Sequence, residues 1–240
     1  MFISSSLKLI PLTIALTTVI CSCAPSVLPT EELISFRQAP KVYAIHNPPR
    51  LAFALFPEEG LKGESIGKYF GPVGLISGGM SDLRSAQELG GKLLQEFGIQ
   101  DPVLRVKSKS IDLLAHENLK NVQTFDSLLP DDEPAKLKQT LDSEVVIDFK
   151  TITWMLSSYK KNPGHYIDAY RARSRLVQVE DGKVLWEGEC HMKQHDLTTA
   201  PTMDELTVNQ GALLKSIFQD NADACADEIV AQFLGRQLRP

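Results

Sequence analysis

Arg171-Ala172-Arg173-Ser174-Arg175-Leu176-Val177 followed by Asp181-Gly182-Lys183-Val184-Leu185-Trp186-Glu187-Gly188-Glu189-Cys190 is the stretch that decides the fold. Side chains alternate along a strand, so residues two apart share a face. Two registers are open to this pair of runs. A two-residue loop pairs Arg175 with Gly188 and mixes arginines with Trp186 on one face. A three-residue loop with Gly182 in the left-handed bulge position pairs Leu176 with Trp186, Arg175 with Glu187 and Arg173 with Glu189. The second register gives one face of opposed charges and one inner face of Tyr170, Ala172, Ser174, Leu176, Trp186, Gly188, Cys190 and Met192, and is the one expected.

Upstream of this hairpin, Val145 to Met155 is β-branched and aromatic. The turn cluster Lys160-Lys161-Asn162-Pro163-Gly164 follows, so a strand from Tyr166 to Val179 is expected to fold back antiparallel on it. Downstream, Thr202-Met203-Asp204-Glu205 is a capping box. It opens a long helix through Leu206, Leu213, Ile217, Ala224, Cys225, Ile229 and Phe233, with a break expected near Gln219-Asp220.

Earlier elements are shorter. Leu51 to Phe56 reads as a buried first strand ended by Pro57. A helix is expected from Ser81 to Phe97 with Leu89, Leu93, Leu94 and Phe97 on one side, stopping at Gly98. Asp101-Pro102 opens another with Val103, Val106, Ser110, Leu113 and Leu114 along one face. A short strand near 122–125 and a brief helix over 131–141 complete the pattern. The expected class is α+β: a mostly antiparallel sheet, with one or two earlier strands, packed against helices, the last of them long.

The amino-terminal end determines where such a domain works. An apolar run begins at Leu7, is interrupted only by Lys8 and Pro11, and closes on Ile20-Cys21-Ser22-Cys23. Its uncharged part, Leu9 to Ala24, falls short of the ~20 residues of a spanning helix, and no basic stop-transfer cluster follows. A signal peptide over 1–22 is the better reading. The closing residues resemble the lipobox of bacterial lipoproteins, in which a small residue precedes a cysteine that is diacylated before cleavage. The resemblance implies lipidation of Cys23, and two or more acyl chains suffice for stable anchoring. Ala24, rather than Asp, implies the outer membrane, facing the periplasm. An ordinary secretory signal cut near Ala24 is the rival reading. Residues 23–50, with Pro25, Pro29, Pro40, Pro48 and Pro49, read as a lipidated tether with a short strand near Val42 to Ile45, and 51–240 as a single domain.

The formal charge of the 240-residue chain is -5, and loss of residues 1–22 removes only Lys8, leaving -6. A chain this acidic lacks the dense basic face of a nucleic-acid binder. Cys21 leaves with the signal and Cys23 takes lipid, so Cys190 and Cys225 remain as a pair in an oxidising compartment and are expected to bond. Two buried free thiols are the alternative.

Candidate chemistry is sparse. Phe70 to Met80 is uncharged and includes Gly71, Pro72, Gly74, Gly78 and Gly79. It fits neither a P-loop nor a dinucleotide fingerprint, which leaves a close-packed loop or a partner-binding or membrane-touching segment. His191 and His195 are the only close histidines, and no third zinc ligand is signalled. Asp148, between Ile147 and Phe149, is the carboxylate expected to be partly buried, as a cross-strand partner of Lys150 or an arginine before any acid–base role. Arg171, Arg173 and Arg175 read first as a solvated, salt-paired face and second as an anion site. No catalytic residue, metal or cofactor is assigned.

Val145-Val146-Ile147-Asp148 through Trp154, Ala172 to Val177 and Asp181 to Trp186 together resemble the sheet core of poorly characterised Gram-negative lipoproteins and, more distantly, of the curli-transport lipoprotein and the amino-terminal domain of TolB. Asp101-Pro102 and Ala200-Pro201-Thr202 with Glu205-Leu206 are similar to one such uncharacterised family. The resemblance covers the carboxy-terminal half. It implies an α+β sandwich and an envelope role in assembly or transport. The anchor, the tether and the absence of a catalytic set point to a non-enzymatic lipoprotein that binds an envelope protein partner. An envelope enzyme or small-ligand binder using the glycine-rich loop, Asp148 or the His191/His195 pair is the alternative.

Overall fold

The computed structural model describes residues 27–56, 80–125, 127, 137–159, 162–193 and 199–236. The lipobox, the Gly71 to Gly79 loop and His195 lie outside the described residues, as does most of the 131–141 stretch expected to be helical.

β5 (Asn162–Gln178) and β6 (Val184–Met192) form the hairpin in its three-residue register. Leu176 faces Trp186, Arg175 faces Glu187 and Arg173 faces Glu189. Gly182 takes φ +73, the left-handed conformation that glycine adopts without a Cβ clash. β4 (Val145–Tyr159) pairs antiparallel with β5 along almost its whole length, with an irregularity between Thr151 and Thr153 that resets which side chains face the helices. Both strands are longer than the sequence signalled, because pairing continues to Tyr159 and Asn162 at the turn.

The other edge of β4 is parallel, and sequence gave no sign of it. β1 (Val42–His46) runs beside Val145 to Phe149, and β2 (Ala54–Phe56) beside Met155 to Ser157. Between them the chain stays attached through Asn47 N–H to Phe149 O and Arg50 N–H to Thr151 O. β1 and β2 therefore act as one broken strand. The expected strand over Leu51 to Phe56 is thus the second to form part of the sheet, and only 54–56 is regular. β3 (Val122–Thr124) pairs parallel with β1, giving the order β3-β1-β4-β5-β6.

Residues 27–50 are not a tether. α1 (Thr30–Gln38) and β1 fold onto the domain: Leu28 and Phe36 are buried, and Phe36 stacks edge-on against Phe233. Asn121 donates through Nδ2 to the carbonyls of Phe36 and Ala39, tying down the end of α1. The proline-rich composition was a poor guide because Phe36, Val42, Ala44 and Ile45 bury enough apolar surface to order the segment around them.

α2 (Met80–Phe97), α3 (Val103–His116) and α4 (Met203–Phe233) supply the helical layer. α2 buries Ala86, Gly90 and Leu93 and leaves Leu89 exposed, contrary to the expected face, because Gly90 lies directly against the backbone of Phe53. α4 opens on the expected capping box, with Thr202 and Glu205 bonded reciprocally. Its break falls at Val208 to Gly211, not at Gln219-Asp220. Asn209, Gln210 and Gly211 all take positive φ, and Gly211 packs on the Phe97 ring. Leu214, Ile217, Phe218, Cys225, Ile229 and Phe233 face the sheet, while Leu213 and Ala224 face outward.

The core lies between this helical layer and the inner sheet face of Ile147, Phe149, Trp154, Tyr170, Leu176 and Trp186. Cys190 of β6 and Cys225 of α4 are joined in a disulfide across it, with Cα atoms 5.2 Å apart.

Candidate functional site

Two polar constellations stand out, one buried on each side of the central β4–β5 pair. On the outer face, Asp148 and Arg175 occupy paired positions. The Asp148 side chain is 1% exposed and that of Arg175 9%. Arg175 Nε donates to Asp148 Oδ2 at 2.9 Å and Nη2 donates to the same carboxylate. This corrects the solvated reading of the arginine ladder: Arg175 is enclosed, and its main partner is Asp148 rather than Glu187. Arg171 bonds Glu189, diagonally across the hairpin, with His191 3.5 Å from the same carboxylate and largely in solvent. Opposite charges neutralise this face, which suits a structural lock better than an anion site.

On the inner side, Gly98 at φ +62 ends α2, and the chain turns through Asp101-Pro102 into α3. Asp101 Oδ1 accepts from the Val103 N–H at 3.0 Å, the cap that Asp-Pro signals. The same oxygen accepts from Thr151 Oγ1 at 2.6 Å, and Thr151 lies 3.2 Å from the Tyr170 hydroxyl. A helix start is thereby wired through β4 into β5. Burial raises the Asp101 carboxyl above its ordinary range, outweighing the two hydrogen bonds. Burial, helped by the neighbouring Asp101 charge, pushes Tyr170 well above its usual value, so it stays a protonated phenol. The second oxygen, Oδ2, is enclosed without a hydrogen-bond partner.

Asp101 also lines a cleft of about 320 Å³ with Gln100, Arg105, Lys215, Phe218 and Gln219. Arg105 is held at its rim by Asp223, at 2.6 and 2.7 Å. The enclosed Oδ2 and the buried Tyr170 phenol present no surface to this cleft, so the Asp101–Thr151–Tyr170 chain acts as a structural tie behind its wall. Sequence reading found Asp101 only as a cap. Its partners Thr151 and Tyr170 are remote in the chain and carry no local signal.

A second groove, of about 370 Å³, lies beside α1, floored by Phe36, Val145 and Leu176 and edged by Glu32, Glu144 and Glu180. Among the described residues no group of three or more His, Cys, Asp or Glu is placed to hold a metal ion. His46 instead sits 3.3 Å from the buried Lys107 ammonium, and His165 lies near the Pro163 carbonyl. Asp148 and His191 are both on the outer sheet face, away from the Asp101 cleft, while the glycine-rich loop and His195 lie outside the described residues.

No known protein family and no curated protein matches the chain. Several solved structures resemble it at low values. The hypothetical protein CT253 from Chlamydia trachomatis is 11% identical, with 80% of this chain and 95% of that one covered and a TM-score of 0.35. The PelC dodecamer from Paraburkholderia phytofirmans is 9% identical, covering 80% and 88%, with a TM-score of 0.34. Lipoprotein GNA1162 from Neisseria meningitidis is 14% identical, covering 76% and 99%, with a TM-score of 0.27.

Proposed function

We propose that this is a lipid-anchored cell-envelope protein whose folded domain serves as a binding or assembly factor for an envelope protein partner. The observation that carries the reading is Ile20-Cys21-Ser22-Cys23 at the close of an apolar, non-spanning run. Diacylation at Cys23 supplies the two chains that hold a protein on a bilayer, and Ala24 directs the reading to the outer membrane, on its periplasmic side. The Cys190–Cys225 disulfide supports the same compartment, since such bonds persist outside the reducing cytosol. The inner-face residues build a core and the outer-face charges pair with one another, so a partner would meet the helices, the loops or the sheet edge at β6.

The test is metabolic labelling of cells with an alkyne fatty acid. The wild-type chain should carry label and sediment with membranes, while Cys23→Ala should lose the label and be released or retained as precursor. Label that persists in Cys23→Ala, or a wild-type chain without label, overturns the anchor. Crosslinking from the Gly71 to Gly79 segment in intact cells should then trap an envelope protein if that segment is the partner contact.

A further inference from the structure

The folded domain begins almost at the anchoring cysteine, and this restricts how it can sit. Leu28 is in the core at 5% exposure, and Val27 Cγ1 lies beside Gly235, 3.1 Å from where a Cβ on that glycine would stand, beyond the end of α4. Four peptide links separate Cys23 from Val27, which reach at most about 14 Å however they are arranged. A domain of roughly 200 residues has a radius of gyration of about 17 Å. The leash is therefore shorter than the body it holds, and one end of the domain must lie against the surface that carries the lipid.

That end is defined by several contacts. α1 crosses it, stacking Phe36 on Phe233 at one side and lining the starts of β4 and β6 through Val145 and Leu185 at the other. The end of α3 joins it through Glu117, which is bonded to Arg236. Two large apolar side chains are left exposed there, Val27 at 53% and Ile34 at 49%. Ile34 is on the side of α1 that faces away from the core, whereas Phe36 faces into it. The charges at this end are of both signs, Arg37, Lys120 and Arg236 against Glu31, Glu32 and Glu117. Headgroup charge alone would not draw this surface to a bilayer. The anchor brings it there, and Val27 and Ile34 give it an apolar contact once it arrives.

We infer that the α1 end of the domain, with Val27 and Ile34 outermost, rests on the phospholipid surface into which the Cys23 lipid is inserted, and that the opposite end, around Leu213, points away from it. This inference rests on the lipid-anchor reading above. Leu213 lies about 30 Å from Phe233 along the axis of α4, so the two ends are separable by a distance-sensitive probe.

The experiment uses full-length protein processed in cells and reconstituted into phosphatidylethanolamine–phosphatidylglycerol vesicles. Mass of the amino-terminal peptide is read first, so that an unlipidated Cys23 is recognised as failure of the anchor reading and not of the orientation. With Cys23 acylated and Cys190 bonded to Cys225, Ile34→Cys or Leu213→Cys provides the single reactive thiol for a fluorophore. A nitroxide quencher carried on lipid headgroups should quench the probe at 34 several-fold more than the probe at 213. Equal quenching at the two positions, or stronger quenching at 213, overturns the orientation. A long Gly/Ser spacer inserted after Ser26 should abolish the difference; a difference that survives it overturns the short leash as the cause.

Discussion

Asp148 and Arg175 form an ion pair between adjacent strands at a point where neither side chain has appreciable access to water. Two charges taken out of solvent are tolerated only because each satisfies the other. Replacing one leaves a bare charge. Arg175→Met is expected to cost about 3 kcal/mol or more, whereas the double replacement Asp148→Leu with Arg175→Met should recover most of that loss. Urea midpoints of the two singles and the double provide the cycle, and additive losses would show that the residues do not act as a pair.

The Cys190–Cys225 bond closes a loop across a sequence separation of 35 residues. Such a closure is expected to contribute on the order of 3 kcal/mol, chiefly by restricting the unfolded chain. Unreduced protein should be lighter by two hydrogens than reduced protein, and thiol alkylation should leave both cysteines unmodified. Reduction should lower the denaturant midpoint in wild type and have no effect on Cys190→Ser/Cys225→Ser.

Asp101 makes a prediction about acidity. Because burial raises its carboxyl in the folded state, the folded protein keeps this proton to higher pH than the unfolded chain does. The group's contribution to stability therefore falls as pH rises from the ordinary carboxylate value through the raised folded one, and is level below that window. Glu117 and Asp223 act in the opposite sense. Hydrogen bonds from Arg236 and Arg105 lower them, so their contribution is present above the ordinary value and lost as pH falls through the folded one. The Asp101 effect is isolated by comparison with Asp101→Asn. The stability of wild type relative to this variant should decline with rising pH, and an increase would mean that the site favours the carboxylate.

Gly90 and Gly91 are neighbours on α2 with opposite expectations. A Cβ on Gly90 would come within 2.5 Å of the Phe53 carbonyl oxygen, while one on Gly91 meets nothing within 4 Å. Gly91→Ala should therefore raise stability by up to about 1 kcal/mol through helix propensity. Gly90→Ala should lower it by about 1–3 kcal/mol, since helix and strand must move apart. Thermal midpoints of the two variants shifting in the same direction would contradict the close approach.

Local grammar was readable in this chain and distant pairing was not. The β5–β6 register followed from Gly182 and the alternation of Arg with apolar residues, because both act within a few residues of the turn. The capping box at Thr202 was legible for the same reason. Short strands near Val42 and Val122 were legible, but their parallel pairing with β4 and with each other was not, because it depends on neighbours far away in sequence, and the prolines on either side of Val42 suggested a linker. The break in α4 was misplaced because it lies where Asn209, Gln210 and Gly211 take positive φ and Gly211 meets the Phe97 ring, a contact from a distant helix that local pattern does not show. Leu214, not Leu213, is the buried residue just after it. At the cleft, the Asp101 cap could be read, but Thr151 and Tyr170 reach it only through the β4–β5 pairing.

The link between β6 and α4 also changes what a single cut can do. A protease that cleaves anywhere from His191 to Ala224 opens the backbone without dividing the molecule, because both fragments stay joined through Cys190 and Cys225. The final helix segment, with Ile229 and Phe233, would remain tethered to the sheet it packs on. A nicked copy would thus persist as one covalent body until a reductant released the piece.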